Sequence, residues 1–243
     1  MICTIMQPTY IPWIGYFDLI DKVDTFVFYD DVQLAKRSWQ VRNKIKSANG
    51  ELWLTLPVKK TKKRDDLLIN EALLNNEEKW NKKHLNSIAL NYKKSEYFND
   101  VFEIIEGVYV KAIQLADFNI ELIKLISNKI GITTEFINSS SLKDIKGQKD
   151  YRLVQICKAI NSNIYLSPQG SANYINEVNK GGEFVKNNID LYYHAYKHPI
   201  YKQLYSEFIP YIGIYDLLFN VGFKKSIDVI RAGRLDNIHY KDL

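Results

Sequence analysis

The sequence predicts an α/β fold: a mostly parallel sheet flanked by helices, with an inserted or appended helical region. Three observations predict it. The first 35 residues spell strand, loop, helix, strand. Residues 76–128 then carry helical patterning throughout, and beyond residue 132 β-rich and helical patterns alternate again. Strands separated by helices pair in parallel, because a parallel return needs a long crossover. That is a Rossmann-like architecture, and 243 residues suffice to build it as a single α/β domain over 1–243, with the helical subregion at about 76–128.

Taken in order, the apolar run Ile2, Cys3, Ile5 leads into Gln7-Pro8, where the missing proline N–H ends a central strand. Pro12 opens a segment with Ile14, Phe17, Leu19, Ile20 and Val23 on roughly one face, the mark of an amphipathic helix. Thr25-Phe-Val-Phe-Tyr29 reads as a buried strand whose carboxyl end delivers Asp30 and Asp31. Residues 37–46 alternate cationic and apolar side chains into the turn Ser47-Ala-Asn-Gly50, and 52–58 is strand-like up to Pro57, so a hairpin lies between them. The charge run 59–66 reads as a solvated loop or as a lid over phosphates, and 67–70 as a short strand.

Trp80, His84, Ile88 and Tyr92, at steps of four, share one helix face, and later apolar clusters add two or three helices ending at Gly131. Residues 132–137 are β-rich, and Asn138-Ser-Ser-Ser141 after them suits a loop or a helix cap. A helix over 151–160, a strand from 164 into a polar turn at 170, and a strand over 190–196 broken by His198-Pro199 follow. Helical spacing at 216–220 and 226–233 closes the chain. There is no internal repeat.

At 46% hydrophobic and 25% charged, the composition is that of an ordinary globular protein. A net charge of +5 without a compact basic helix or a known motif argues against nucleic acid as a partner. Cys3 and Cys157 sit in apolar runs and read as small buried hydrophobes in a reducing cytoplasm. No signal-peptide pattern and no apolar stretch of about 18 residues is present, which predicts no membrane span and a cytoplasmic protein.

Both strand ends of the opening unit carry groups that a core does not need, namely Gln7, Tyr10, Trp13, Asp30, Asp31 and Gln33. Ligands of open α/β sheets sit just outside such ends. The two acids read either as a turn and cap or as catalytic carboxylates kept ionised by Lys36, Arg37 and Arg42. Arg37 and Arg42 equally suit a pyrophosphate, which the planar guanidinium grips in a bidentate manner. His84 and His198 are the proton carriers to consider, since histidine alone titrates near neutrality unperturbed. His84 reads also as a core group on an apolar helix face, whereas His198 stands in a loop between Tyr196 and Tyr201. His194 reads as structural. No Cys/His spacing fits zinc, and no metal is expected.

Several segments together resemble the WbqC-like family, whose members are encoded in bacterial O-antigen and other surface-polysaccharide clusters. They are Gln7-Pro-Thr-Tyr-Ile-Pro-Trp-Ile-Gly-Tyr-Phe-Asp18, Phe28-Tyr-Asp-Asp-Val-Gln33, Lys36-Arg-Ser-Trp39, Trp53-Leu-Thr-Leu-Pro-Val58, Trp80-Asn-Lys-Lys-His84, Tyr165-Leu-Ser-Pro-Gln-Gly-Ser-Ala172, His198-Pro-Ile-Tyr-Lys-Gln203 and Asp216-Leu-Leu-Phe-Asn-Val-Gly222. The chain departs from the family pattern at Val41, where an Asn is usual, and at Gly213, where a Ser is usual.

The resemblance implies a transferase of surface-glycan (lipopolysaccharide) biosynthesis that places an acyl or aminoacyl group, glycyl first, on the amine of a nucleotide-linked amino sugar. The donor would be an activated acyl group linked to a carrier protein or to coenzyme A. Asp30, Asp31, His84 and His198 would then be the catalytic candidates, and Gln7, Tyr10, Trp13, Lys36, Arg37, Arg42, Asn43 and Tyr201 the substrate-binding ones. Two rivals stand beside this reading. One is a nucleotidyltransferase- or ligase-type enzyme, although the His-x-Gly-His of such proteins is replaced here by Ile14-Gly-Tyr-Phe17. The other is a non-catalytic carbohydrate-binding scaffold with a shallow aromatic surface.

Overall fold

A computed structural model describes residues 1–61, 66–177, 179–205 and 207–243. Its opening elements form where the apolar runs stand: β1 (Ile2–Met6), α1 (Ile14–Asp21) and β2 (Thr25–Phe28). The expected hairpin follows as β3 (Arg42–Ser47) and β4 (Gly50–Thr55), paired antiparallel in a sheet of their own. The helical block comprises α2 (Trp80–Tyr92), α3 (Phe98–Lys111) and α4 (Leu115–Lys129). The second half contains β5 (Glu135–Asn138), α5 (Lys149–Ala159), β6 (Ile164–Pro168), the short helices α6 (Ala172–Ile175) and α7 (Gly182–Lys186), and β7 (Asp190–His194). The helices α8 (Tyr215–Val221) and α9 (Phe223–Ala232) and the two-residue strand β8 (Ile238–His239) end it.

The main sheet has the order β5-β2-β1-β6-β7-β8, parallel except for β8 against β7. The chain steps outward from β1 through β2 to β5, then restarts at β6 on the other side of β1. Strand order therefore reverses at the β1–β6 boundary, where open sheets of this kind receive ligands beyond the carboxyl ends. Alternate residues divide between two cores, as the period of two demands: Phe26 and Phe28 face the helical block, while Cys3, Ile5 and Val27 pack on Leu153, Val154 and Phe184. Cys3 and Cys157 are free and buried, their sulfurs 3.6 Å apart.

Two expectations are corrected. Helix α1 is not amphipathic: every residue from Ile14 to Ile20 is buried. Its outer face is covered by the tail, where Arg234 reaches Asp18 at 2.7 Å and Arg231 grips Asp21 with two hydrogen bonds of 2.8 and 2.9 Å. Residues 67–70 do not form a strand. They make one bridge, Gln33 to Leu68, and pass into a 3-10 turn at Ile69–Glu71, because their backbone bonds go to the loop after β2 (Leu34 N to Leu67 O, Ile69 N to Val32 O, Asn70 N to Asp30 O). Of the basic run 59–66, residues 62–65 lie outside the described residues.

Candidate functional site

The expected acid pair forms a clamp between the ends of β2 and β5. Asp30, 2% exposed, accepts the Ser140 hydroxyl at 2.6 Å on one oxygen and the Ser140 N–H at 3.0 Å on the other. Ser139 sits between the carboxylates, its hydroxyl 3.1 Å from Asp30 Oδ1 and 2.5 Å from Asp31 Oδ1, with one proton to give. Asp31 completes its set through Arg152 Nη2 at 2.7 Å. The cation beside the acids thus comes from α5; of their basic sequence neighbours, Arg37 and Arg42 line a separate cavity.

Tyr10 and His84 likewise meet in the core. Tyr10 is fully buried, its hydroxyl 2.8 Å from His84 Nδ1 and 2.6 Å from the Tyr109 hydroxyl, which Tyr215 reaches at 3.4 Å. Burial pushes the His84 pKa down to about 4, against the Thr55 carbonyl, which favours the charged form. His84 is therefore neutral at pH 7 and a poor proton donor. Asn43 is also committed internally: its amide donates to the carbonyls of Tyr10 at 3.0 Å and Ile11 at 2.7 Å, holding the loop before α1. Gln7 accepts Gln40 Nε2 at 2.6 Å. Of Gln7, Tyr10, Asp30, Asp31 and Arg42, Arg42 alone is among the described residues lining the two cavities that follow.

Two of the cavities among the described residues hold the cationic and aromatic candidates. The first, about 580 Å³, is bounded by the hairpin and the segments before and after it; Arg37, Arg42, Lys59 and Lys60 stand around a floor that includes Val41 and Leu56. No carboxylate is among the described residues lining it. Arg37 has a left-handed backbone (φ 52°), a conformation that costs a non-glycine residue about 1–3 kcal/mol and is kept where the surroundings enforce it. Val41, the family departure, contributes apolar floor here. Lys36 is exposed and lies outside this lining.

The second cavity, about 410 Å³, opens beyond Met6, the last residue of β1, and so at the strand-order reversal. Trp13, Trp39, Tyr211 and Lys44 line it. Trp13 folds back over the first turn of α1, which only Gly15 permits, since a Cβ there would collide with the indole. Behind the Trp13–Tyr211 wall stands His198, stacked on Trp13 (ring centroids 6.2 Å, 17°) and on Tyr201 (6.2 Å, 26°), with Tyr211 edge-on at 5.1 Å. His198 Nδ1 lies 2.8 Å from the Pro199 carbonyl. A carbonyl only accepts, so Nδ1 carries the hydrogen and the tautomer assigned by this bond leaves Nε2 with a free lone pair. Nε2 is buried and has no partner among the described residues. Burial lowers the His198 pKa, the Pro199 bond opposing, so the ring is a neutral base at pH 7.

The segment carrying these rings is pinned from inside. Lys46, buried on β3, donates to Gln203 Oε1 at 2.9 Å and to the Glu207 carbonyl, and Gln203 in turn closes on Ile209 through two bonds of 2.9 and 3.0 Å. Tyr201 packs there against His198 and Phe208 and does not line the second cavity. Beneath lies Asp216, accepting from Tyr92 at 3.1 Å, its pKa pushed up to about 6 by burial. Gly213, the other family departure, has no room for a side chain: a Cβ would press on Ile11 and the Lys44 carbonyl.

Sequence reasoning missed Trp39, Lys44 and Tyr211 as site residues. Trp39 is 52% exposed and stacks on Trp53, itself 42% exposed, at 5.8 Å and 25°. Two exposed tryptophans beside Arg37 and Arg42 were the available signal, though adjacency in a hairpin is visible only once its register is known.

The fold is that of a Rossmann-like α/β protein, and it carries one cavity rimmed by cations and another lined by aromatic rings. The chain belongs to the WbqC-like protein family, which it matches over residues 7–227. It is 35% identical over 221 residues to the uncharacterized protein Rv1507c of Mycobacterium tuberculosis (strain ATCC 25618 / H37Rv), covering 90% of this chain and 93% of that one. No solved structure matches it significantly. Membership suggests an enzyme with a role in a surface-polysaccharide cluster. Among the described residues no helix is long and apolar enough to cross a membrane, and no group of three or more His, Cys, Asp or Glu is placed to hold a metal ion.

Proposed function

We propose that this protein is a cytoplasmic transferase that binds a nucleotide-linked amino sugar and transfers an acyl or aminoacyl group, glycyl first, to its amine. The observation that carries the reading is the convergence of Arg37, Arg42, Lys59 and Lys60 on one cavity. Guanidinium and ammonium groups gathered without a lining carboxylate suit a diphosphate. The donor is an activated acyl thioester on a carrier protein or coenzyme A. In the reaction the amine attacks the acyl carbon, the N–C bond forms and the C–S bond breaks. His198 Nε2 takes the amine proton and returns it to the departing thiolate. For Nε2 to meet the amine the Trp13–Tyr211 wall must move, and Tyr211, exposed and held at φ 58°, is the outer member of that wall. Asp30 and Asp31 serve in this scheme as the clamp that fixes the carboxyl edge of the sheet.

Mass spectrometry of UDP-linked amino sugars incubated with the protein and a panel of acyl and glycyl thioesters tests this. An acceptor mass raised by the acyl group is expected. Failure of every pair, with binding intact, favours the non-catalytic carbohydrate-binding reading, which the exposed Trp39–Trp53 pair also supports; release of pyrophosphate from a nucleoside triphosphate favours the nucleotidyltransferase reading.

A further inference from the structure

We infer that the Trp39–Trp53 pair is a ridge across which the bound molecule lies, its nucleotide in the cationic cavity and its sugar ring stacked on Trp39 in the aromatic one. The inference rests on the nucleotide-sugar reading and assigns its two halves to separate subsites.

The ridge divides the cavities through one strand. Arg42 of β3 lines the first, and its neighbours Asn43 and Lys44 line the second. Arg42 also lies over the Trp53 ring at 4.6 Å, with Lys44 Nζ 5.2 Å from the same ring, so both cations sit against Trp53 while Trp39 borders the second cavity. Lys44 is tied to Glu51 at 2.8 Å. Arg42, whose guanidinium has no carboxylate partner among the described residues, is therefore the cation at the crossing.

Trp39 is exposed without being loosely held. Its carbonyl accepts the Tyr10 N–H at 2.8 Å, and the next residue, Gln40, is fixed through Gln7 at 2.6 Å and through Asn119 at 2.9 Å. A large apolar ring on a rigid backbone, half in water, is a ready contact surface, because little conformational freedom is left to lose on binding. What it suits is set by the cavity it faces. That space, about 410 Å³, has four aromatic side chains, Trp13, Tyr16, Trp39 and Tyr211, with Thr9, Asn43 and Lys44 as polar groups. Aromatic faces are electron-rich, so they attract the polarised C–H face of a pyranose, and more strongly a ring bearing an ammonium group. The apolar floor and cations of the first cavity suit base and diphosphate instead. His198 behind the second cavity then stands on the side where the amine arrives.

The test is calorimetric, with pyrophosphate, UDP and UDP-N-acetylglucosamine as probes for the wild type, Trp39→Ala and Arg42→Ala. The wild type should bind the nucleotide sugar several-fold more tightly than UDP. In Trp39→Ala that ratio should fall to within about twofold while the affinities for UDP and pyrophosphate stay unchanged. Arg42→Ala should weaken all three ligands and leave the ratio intact. Trp39→Phe, which keeps a smaller ring, should restore part of the ratio. Loss of UDP affinity equal to that of the nucleotide sugar in Trp39→Ala would place the base on the ridge and overturn the assignment, as would a Trp39→Ala variant that behaves as wild type. If the wild type binds neither pyrophosphate nor UDP, the nucleotide-sugar reading itself fails, a result distinct from either.

Discussion

Two polar clusters stand near the carboxyl edge of the sheet, and they differ in what they leave unfinished. At the ends of β2 and β5 the carboxylates of Asp30 and Asp31 are saturated: each oxygen has a donor from Ser139, Ser140 or Arg152, and the one group left over is Arg152 Nε, buried without a partner among the described residues. At the β1 side, His198 Nε2 is buried without a described partner, Arg37 and Tyr211 hold left-handed backbones, and Trp39 is exposed on a fixed turn. A saturated cluster stabilises, because breaking any bond strands a buried polar group. An unsaturated, strained one is kept in spite of its cost, and ligands are what such sites are built to satisfy. The acids that look catalytic in the sequence belong to the first kind.

The sharpest way to break this contrast is to exchange the roles. His198→Gln should lower turnover by roughly 10²–10⁴-fold, the scale of a positioned base, with the melting temperature nearly unchanged. Asp30→Asn should do the reverse: it turns an acceptor into a donor facing the Ser140 N–H or hydroxyl, costing about 1–3 kcal/mol, or several degrees of melting temperature, at near-normal turnover of the folded fraction. Turnover assays beside thermal melts decide it. A silent His198→Gln with an inactive, fully stable Asp30→Asn would invert the assignment.

A smaller effect separates the arginines. Arg37→Ala or Arg42→Ala should weaken UDP binding by about 1.5–3 kcal/mol, as for a hydrogen bond to a charged group, and lysine should rescue only in part. Arg152→Ala should leave UDP affinity alone and lower stability, since Asp31 loses its counter-ion. Equal affinities in all three alanine variants by titration calorimetry would assign Arg37 and Arg42 to solvated surface.

The smallest effect concerns pH and the two buried groups beside the site. Folded His84, near 4 against an ordinary 6.5, refuses a proton that the unfolded chain takes, so its contribution to stability is lost as pH falls from 6.5 to 4. Folded Asp216, near 6 against 3.8, holds a proton that the unfolded chain gives up, so its contribution is lost as pH rises from 3.8 to 6. The two slopes oppose each other over nearly the same window. His84→Gln should expose the Asp216 slope: between pH 4 and 6 the variant's denaturation free energy should decline with pH relative to the wild type. Parallel curves would show that His84 does not titrate in this way.

How much of this was legible beforehand follows from the range of each interaction. The strand order of the opening unit, the hairpin and the helical face of Trp80, His84, Ile88 and Tyr92 were readable, because apolar periodicity and Pro or Gly punctuation act over a few residues. The candidate list was readable too: Arg37, Arg42, Trp13 and His198 all stand in the cationic and aromatic compartments or against their walls. The cover over α1 was not, since Arg231 and Arg234 come from more than 200 positions away.

By itself, then, the sequence determined the parallel α/β plan, since runs such as Thr25–Phe28 can be stable only when buried between two faces. Tertiary structure decided which polar groups would be used up. Asp30 meets Ser140 across 110 positions, Tyr10 meets His84 across 74, and His198 meets Trp13 across the width of the chain. A local pattern records that a side chain is polar or apolar, not which distant partner will satisfy it. That is settled when the β2–β5 pairing closes around one set of groups and the segment after β7 folds down over the other.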